Sequence, residues 1–168
     1  MGVLAFNKRL TRIRQKMEEN NIDALLVTHR PNVYYLSGFT GTSGFLLLTF
    51  GEALLYTDFR YIQQAREEAP AFEIVQVNST ADYAAAAQHI SHRGLKNIAL
   101  EEAHVSLRDF LRFKNSYHGN GSIVPLFNFI EEMRAIKDNE EVKLITEAAR
   151  IADEAFQSIL PLLKPGMS

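Results

Sequence analysis

The chain has 168 residues, 46% of them hydrophobic and 23% charged, the makeup of an ordinary globular domain with enough apolar material for a core. A formal net charge of −2 with scattered basic residues argues against nucleic acid or an anionic membrane as partner, because both need a concentrated positive face. The lack of cysteine excludes disulfides, thiolate metal sites and a cysteine nucleophile, and the first residues turn charged too soon for a signal peptide or a membrane span, so a cytoplasmic protein is expected.

Helical and extended patterns alternate from the start, which predicts an α/β domain with a sheet between helices. Phe6, Leu10, Ile13 and Met17 recur at helical spacing, and Asn20 and Asn21 end that helix because asparagine tolerates left-handed backbone angles. Residues 24–28, ALLVT, read as a short buried strand. FLLLT (45–49) and ALLYT (53–57) flank Gly51-Glu52 so closely that a hairpin with a glycine-led turn is predicted, which makes the sheet mixed.

A helix over 61–68, a strand at 72–77 and an alanine-rich helix over 83–90, capped by Ser79 or Thr80, follow. Next come a strand at 97–101 and a helix begun by Ser106 and Asp109, expected to turn Leu107, Phe110 and Leu111 inward. SIVPL at 122–126 is a last extended segment, and Pro125 puts it at an edge or a strand end. From Asp138 or Asn139 a long helix is predicted to about Leu163, roughly 37 Å at about 1.5 Å per residue. Its apolar stripe is Val142, Ile145, Ala149, Ala152, Phe156, Ile159 and Leu163.

The candidate chemistry is sparse. Gly38, Gly41 and Gly44 lack the spacing and the following helix of a phosphate cradle, so they are read as permitting positive backbone angles or close approach. His89 and His92 supply two imidazoles without a clear third ligand. Glu101, Glu102 and His104 stand just past a strand, where α/β folds place their sites, but adjacent strand carboxylates point apart. No glycine-flanked serine provides a nucleophile elbow. Asp58 with Arg60 reads as a helix cap carrying a structural ion pair, while Arg60 or Tyr61 reaching a ligand is the functional alternative.

Taken in order, NVYYLSGFTG (32–41), TDFRY (57–61), RAIKDNEEVKLITEAARIADEAF (134–156) and the closing KPGMS resemble the amino-terminal half of the Xaa-Pro peptidases, prolidase and aminopeptidase P, in the creatinase-like group. The resemblance implies a three-layer creatinase/prolidase amino-terminal domain with a mixed sheet over 1–128. Residues 129–168 would then be the linker and first helix of a pita-bread catalytic domain still to come. That second domain would bind two divalent metals, manganese, cobalt or zinc, through two aspartates, a histidine and two glutamates. No position here matches that set, so no catalytic or metal-binding residue is assigned and the chain alone is expected to be inactive.

What the resemblance leaves to this domain is dimerisation and gating of the active site over a proline-containing peptide. The implied residues are Tyr34, Tyr35, Phe39, Thr40, Gly41, Thr42, Ser43, Arg60 and Tyr61, with Tyr35 equally readable as core. The implied partners are the protein's own catalytic domain and a second copy. A non-catalytic peptide- or protein-binding module of the same fold, or a fragment of a creatinase-type hydrolase, are the alternatives.

Overall fold

A computed structural model describes residues 3–79, 83–163 and 166. The chain forms two compact units, Met1–Met133 and Arg134–Ser168. The first holds a six-stranded sheet in the order β4-β3-β2-β1-β5-β6, built from β1 (Ala24–Val27), β2 (Phe45–Thr49), β3 (Ala53–Thr57), β4 (Glu73–Gln76), β5 (Asn97–Glu101) and β6 (Ser122–Leu126). β1, β2 and β3 pair antiparallel, while β1 with β5, β5 with β6 and β3 with β4 are parallel, so the sheet is mixed. Pro125, which has no N–H to give a ladder, lies on the edge strand β6.

The central strands are buried on both faces, and successive side chains divide between two cores as the two-residue period requires. Leu25, Val27, Leu46, Leu48 and Leu55 face one core, which is covered by α1 (Val3–Glu19), α2 (Arg30–Ser37) and α3 (Ile62–Glu68) and closed by Phe129, Ile130 and Met133. Ala24, Leu26, Phe45, Leu47, Leu54 and Tyr56 face the other, against α4 (Ala84–His92) and α5 (Leu107–Ser116). Phe45 and Tyr56 stand opposite in register with stacked rings 4.7 Å apart, and burial pushes the Tyr56 hydroxyl up to about 12.

The predicted stripe of α1 is buried as Phe6, Leu10, Ile13 and Met17, and Asn21 leaves the helix at φ 54°. The β2–β3 turn does not rest on a left-handed glycine. Thr49 and Glu52 close it, with Glu52 N donating to the Thr49 hydroxyl at 2.9 Å. Ser106 caps α5 through the Asp109 N–H, but Leu107 and Leu111 are exposed. Phe110, Phe113 and Tyr117 share a face at 3.6 residues per turn, and Leu107 and Leu111 fall well to its side. α4 begins at Tyr83 with no side-chain cap; Thr80 lies outside the described residues.

In the second unit, α7 (Asn139–Ile159) opens on a capping box between Asp138 and Glu141 and runs into a 3-10 turn at Leu160–Leu162. The short helix α6 (Glu131–Ala135) precedes it. Val142, Ile145, Phe156, Ile159 and Leu163 are exposed. Of the expected Lys-Pro-Gly stop, Gly166 has φ 91° and Lys164 and Pro165 lie outside the described residues. Among the described residues no helix is long and apolar enough to cross a membrane.

Candidate functional site

The parallel strands β1 and β5 end at the same edge of the sheet, and the polar residues gather there. Glu101, the last residue of β5 and only 5% exposed, accepts at Oε2 from the backbone N–H of Thr28 (2.5 Å) and of His29 (2.7 Å). The Thr28 hydroxyl adds a third bond at 3.1 Å, and Asn32 Nδ2 donates to Oε1 at 2.6 Å. One carboxylate thus fixes the turn from β1 into α2, where Pro31 has no N–H to satisfy.

Buried Asn32 also donates to Glu131 Oε1 at 2.6 Å, at the start of α6. Lys16 secures that segment from α1 by donating to the Phe129 carbonyl and to Glu132. The His29 ring stacks on His104 with centroids 3.5 Å apart and planes 6° from parallel. His29 Nδ1 lies 3.5 Å and His104 Nε2 3.8 Å from Glu131 Oε1. Burial works to raise the Glu131 carboxyl, but the Asn32 hydrogen bond, its own backbone and the two imidazoles outweigh it and hold the group below its ordinary value. Beneath lies a small pocket lined in part by Leu25, Ala103, His104, Asn128 and Glu131.

Of these residues, Glu101 and His104 are legible in the sequence as strand-end candidates; Glu102 is exposed, so the two carboxylates do part. His29, Asn32 and Glu131 are not, although a histidine and a proline directly after a buried strand mark the position where such a site opens.

The residues implied by the resemblance surround the other end of α2. Gly38 ends the helix at φ 83°, its N–H on the Tyr34 carbonyl. Phe39 is 2% exposed, and the loop folds over its ring so closely that a Cβ on Gly41 would lie 2.2 Å from it. Tyr35 is buried, its ring under Arg9 at 4.1 Å, whereas Tyr34 is 43% exposed. Tyr34 forms an open groove with Arg30, Pro31, Phe39 and Thr40.

Thr40 is held by Glu68, which accepts from its N–H at 2.7 Å and from its hydroxyl at 2.8 Å. Thr42 shares a 2.6 Å hydrogen bond with Tyr61, and the Ser43 carbonyl accepts from Thr57. Asp58 caps the following 3-10 turn and binds Arg60 through both carboxylate oxygens, at 2.9 and 2.8 Å. The Arg60 guanidinium holds the Asp58 carboxyl well below the usual carboxylate range. That is the structural ion pair expected from sequence. On the opposite side of the sheet from α2, His89 of α4 pairs with Glu52 at 2.9 Å.

The His29, His104 and Glu131 group does not fit the two-metal set that the resemblance implies, since it contains no aspartate and a single glutamate. Residues 9–136 match the Creatinase/Prolidase N-terminal domain family. The chain belongs to this family. It is 33% identical to a protein of Bacillus subtilis named uncharacterized peptidase YqhT, over 95% of this chain and 45% of that protein. It superposes on a Xaa-Pro dipeptidase from Bacillus anthracis with a TM-score of 0.88 and 31% identity, over 97% of this chain and 45% of that one. The N-terminal domain of the cytoplasmic peptidase PepQ from Mycobacterium tuberculosis matches with a TM-score of 0.70 and 26% identity, over 74% and 97% of the respective chains. The chain therefore spans less than half the length of the Bacillus subtilis and Bacillus anthracis proteins, and the family domain is the amino-terminal creatinase-like part of Xaa-Pro peptidases.

Proposed function

We propose that the chain acts as the non-catalytic amino-terminal domain of a metal-dependent Xaa-Pro dipeptidase or aminopeptidase of the cytoplasm, where it takes part in subunit pairing and in gating of substrate. The observation that carries this reading is the likeness over 97% of the chain to an enzyme named Xaa-Pro dipeptidase, of which it covers 45%. Two divalent ions, manganese, cobalt or zinc, would supply a polarised carbonyl and an activated water in such an enzyme. No residue of this chain is assigned to hold them.

For gating, the exposed Tyr34 ring offers a flat apolar face of the kind that packs on a pyrrolidine, at the rim of the groove with Arg30 and Thr40. The loop beside it is braced by the Thr40–Glu68 and Thr42–Tyr61 bonds, so Tyr34 would meet a peptide from a fixed position. Buried Phe39 and Tyr35 support that wall from within.

The test compares the 168-residue chain with the product of the whole reading frame, each given manganese and a Xaa-Pro dipeptide, with creatine as a second substrate. The longer protein is expected to cleave the dipeptide, to be a dimer by light scattering, and to lose roughly tenfold in kcat/KM on Tyr34→Ala, the scale of one apolar contact. The 168-residue chain is expected to show no turnover. A reading frame ending at residue 168, or turnover of creatine in place of the dipeptide, would overturn the reading.

A further inference from the structure

The residues at the amino-terminal end of α2 carry an inference that does not depend on the proposed function. We propose that His29, His104 and Glu131 bind one divalent transition-metal ion, zinc foremost, as a clip joining the turn after β1, the loop after β5 and the start of α6.

Three side chains from positions far apart in sequence bring their ligand atoms within 4.8 Å of one another. Around a tetrahedral ion with bonds of about 2.0–2.1 Å, neighbouring ligand atoms are roughly 3.4 Å apart. The 3.5 Å and 3.8 Å separations from Glu131 Oε1 to the two imidazoles lie close to that edge length. An independent sign is His29 Nδ1, which is buried and makes no hydrogen bond although it faces Glu131. A buried polar atom without a partner is the exception in folded proteins, and a metal ion would satisfy it.

The surroundings complete the arrangement. Asn32 donates to Glu131 Oε1, the same oxygen that faces the two imidazoles, and Glu101 fixes the backbone of His29 and the amide of Asn32. Such outer partners orient ligands before the ion arrives. Two imidazole nitrogens and one carboxylate oxygen suit zinc, cobalt or nickel, and not calcium or magnesium, which take oxygen ligands. Three protein ligands leave a fourth position for water.

The stacked rings set one geometric condition. Imidazole lone pairs lie in the ring plane, and planes 3.5 Å apart and nearly parallel cannot meet at one ion. One ring must turn about its Cβ–Cγ bond on binding. His104, on the exposed loop after β5, is the ring taken to turn, which moves its Nε2 from the 3.8 Å position.

The test uses the 168-residue chain after treatment with a chelator. Zinc is titrated by calorimetry, and cobalt by its visible absorption, which reports tetrahedral nitrogen and oxygen ligation. One equivalent is expected to bind, with a rise in the unfolding midpoint. His104→Ala, in an exposed loop, should abolish binding with the circular dichroism unchanged. Glu101→Gln should weaken it by about 10- to 100-fold, and His92→Ala, an exposed residue at the end of α4, should leave it intact. No saturable binding, or equal binding by His104→Ala, would overturn the proposal.

Discussion

Each end of α2 is held by a glutamate reaching from elsewhere in the chain, yet the two ends are anchored by different forces. At the amino-terminal end Glu101 is 5% exposed and takes four hydrogen bonds, from two backbone N–H groups, a hydroxyl and a buried amide. At the carboxy-terminal end Glu68 is partly exposed and holds Thr40, but the deeper anchor is Phe39, whose ring fills the space under a loop where Gly41 and Gly44 leave no room for a Cβ. One end is fixed by directed polar bonds that require particular atoms in particular places. The other is fixed by shape. The polar end is therefore the one able to respond to a ligand, and the apolar end the one able to present a surface of constant form.

Removing each anchor tests this contrast. Phe39→Ala should cost the most, about 3–5 kcal/mol, because a fully buried ring leaves a cavity that the glycine loop only partly collapses into. Denaturant unfolding measures it, and a loss under about 1 kcal/mol would show that the loop does not depend on the ring. Glu101→Ala should cost about 2–4 kcal/mol, since it strands the Thr28 and His29 N–H groups and the Asn32 amide together. A cost above that of Phe39→Ala would make the polar end the dominant one. Gly38→Ala should cost about 1–2 kcal/mol from the left-handed backbone alone, because φ is 83° there. The added Cβ would also stand 2.8 Å from the buried Phe6 ring and 3.1 Å from the Glu68 carbonyl oxygen, which adds to that cost.

The two ends also differ in how far the sequence discloses them. Features set by neighbours within about four residues are legible: the stripe of α1, the short apolar strands, and the Ser106 and Asp138 caps. The close spacing of 45–49 and 53–57 makes the mixed sheet legible, the apolar stripe from Val142 the long last helix, and the resemblance adds the family. The polar end is illegible because Glu101 meets His29 across 72 positions and Asn32 meets Glu131 across 99, and neither pairing leaves a periodic trace. α2 itself is short and shares no clear stripe, so its helical state depends on what holds its ends. The inward face of α5 was missed for a related reason, since Leu107 and Leu111 look as apolar as Phe110 and Phe113 until the sheet selects which arc it covers.

The smallest expected effect separates the two carboxylates by exposure. Burial works to raise the Glu68 carboxyl, but the Thr40 N–H and hydroxyl and the Gln64 amide prevail and hold it below its ordinary value. A group whose pKa is lower folded than unfolded stabilises the fold above the unfolded value, about 4.3 for glutamate, and loses that contribution as pH falls through the folded value. Glu68→Gln should therefore lower the unfolding midpoint slightly at pH 7, within the range of about 0–1 kcal/mol typical of exposed charged contacts. The gap between the two proteins should close as the pH is taken below the ordinary glutamate value. Glu101→Gln measured in parallel at pH 7 should show the larger gap, because its buried amide would face the Asn32 donor with a donor of its own. A pH-independent gap for Glu68→Gln would mean that the latch at the apolar end works through shape as well, and that only Glu101 is a polar anchor.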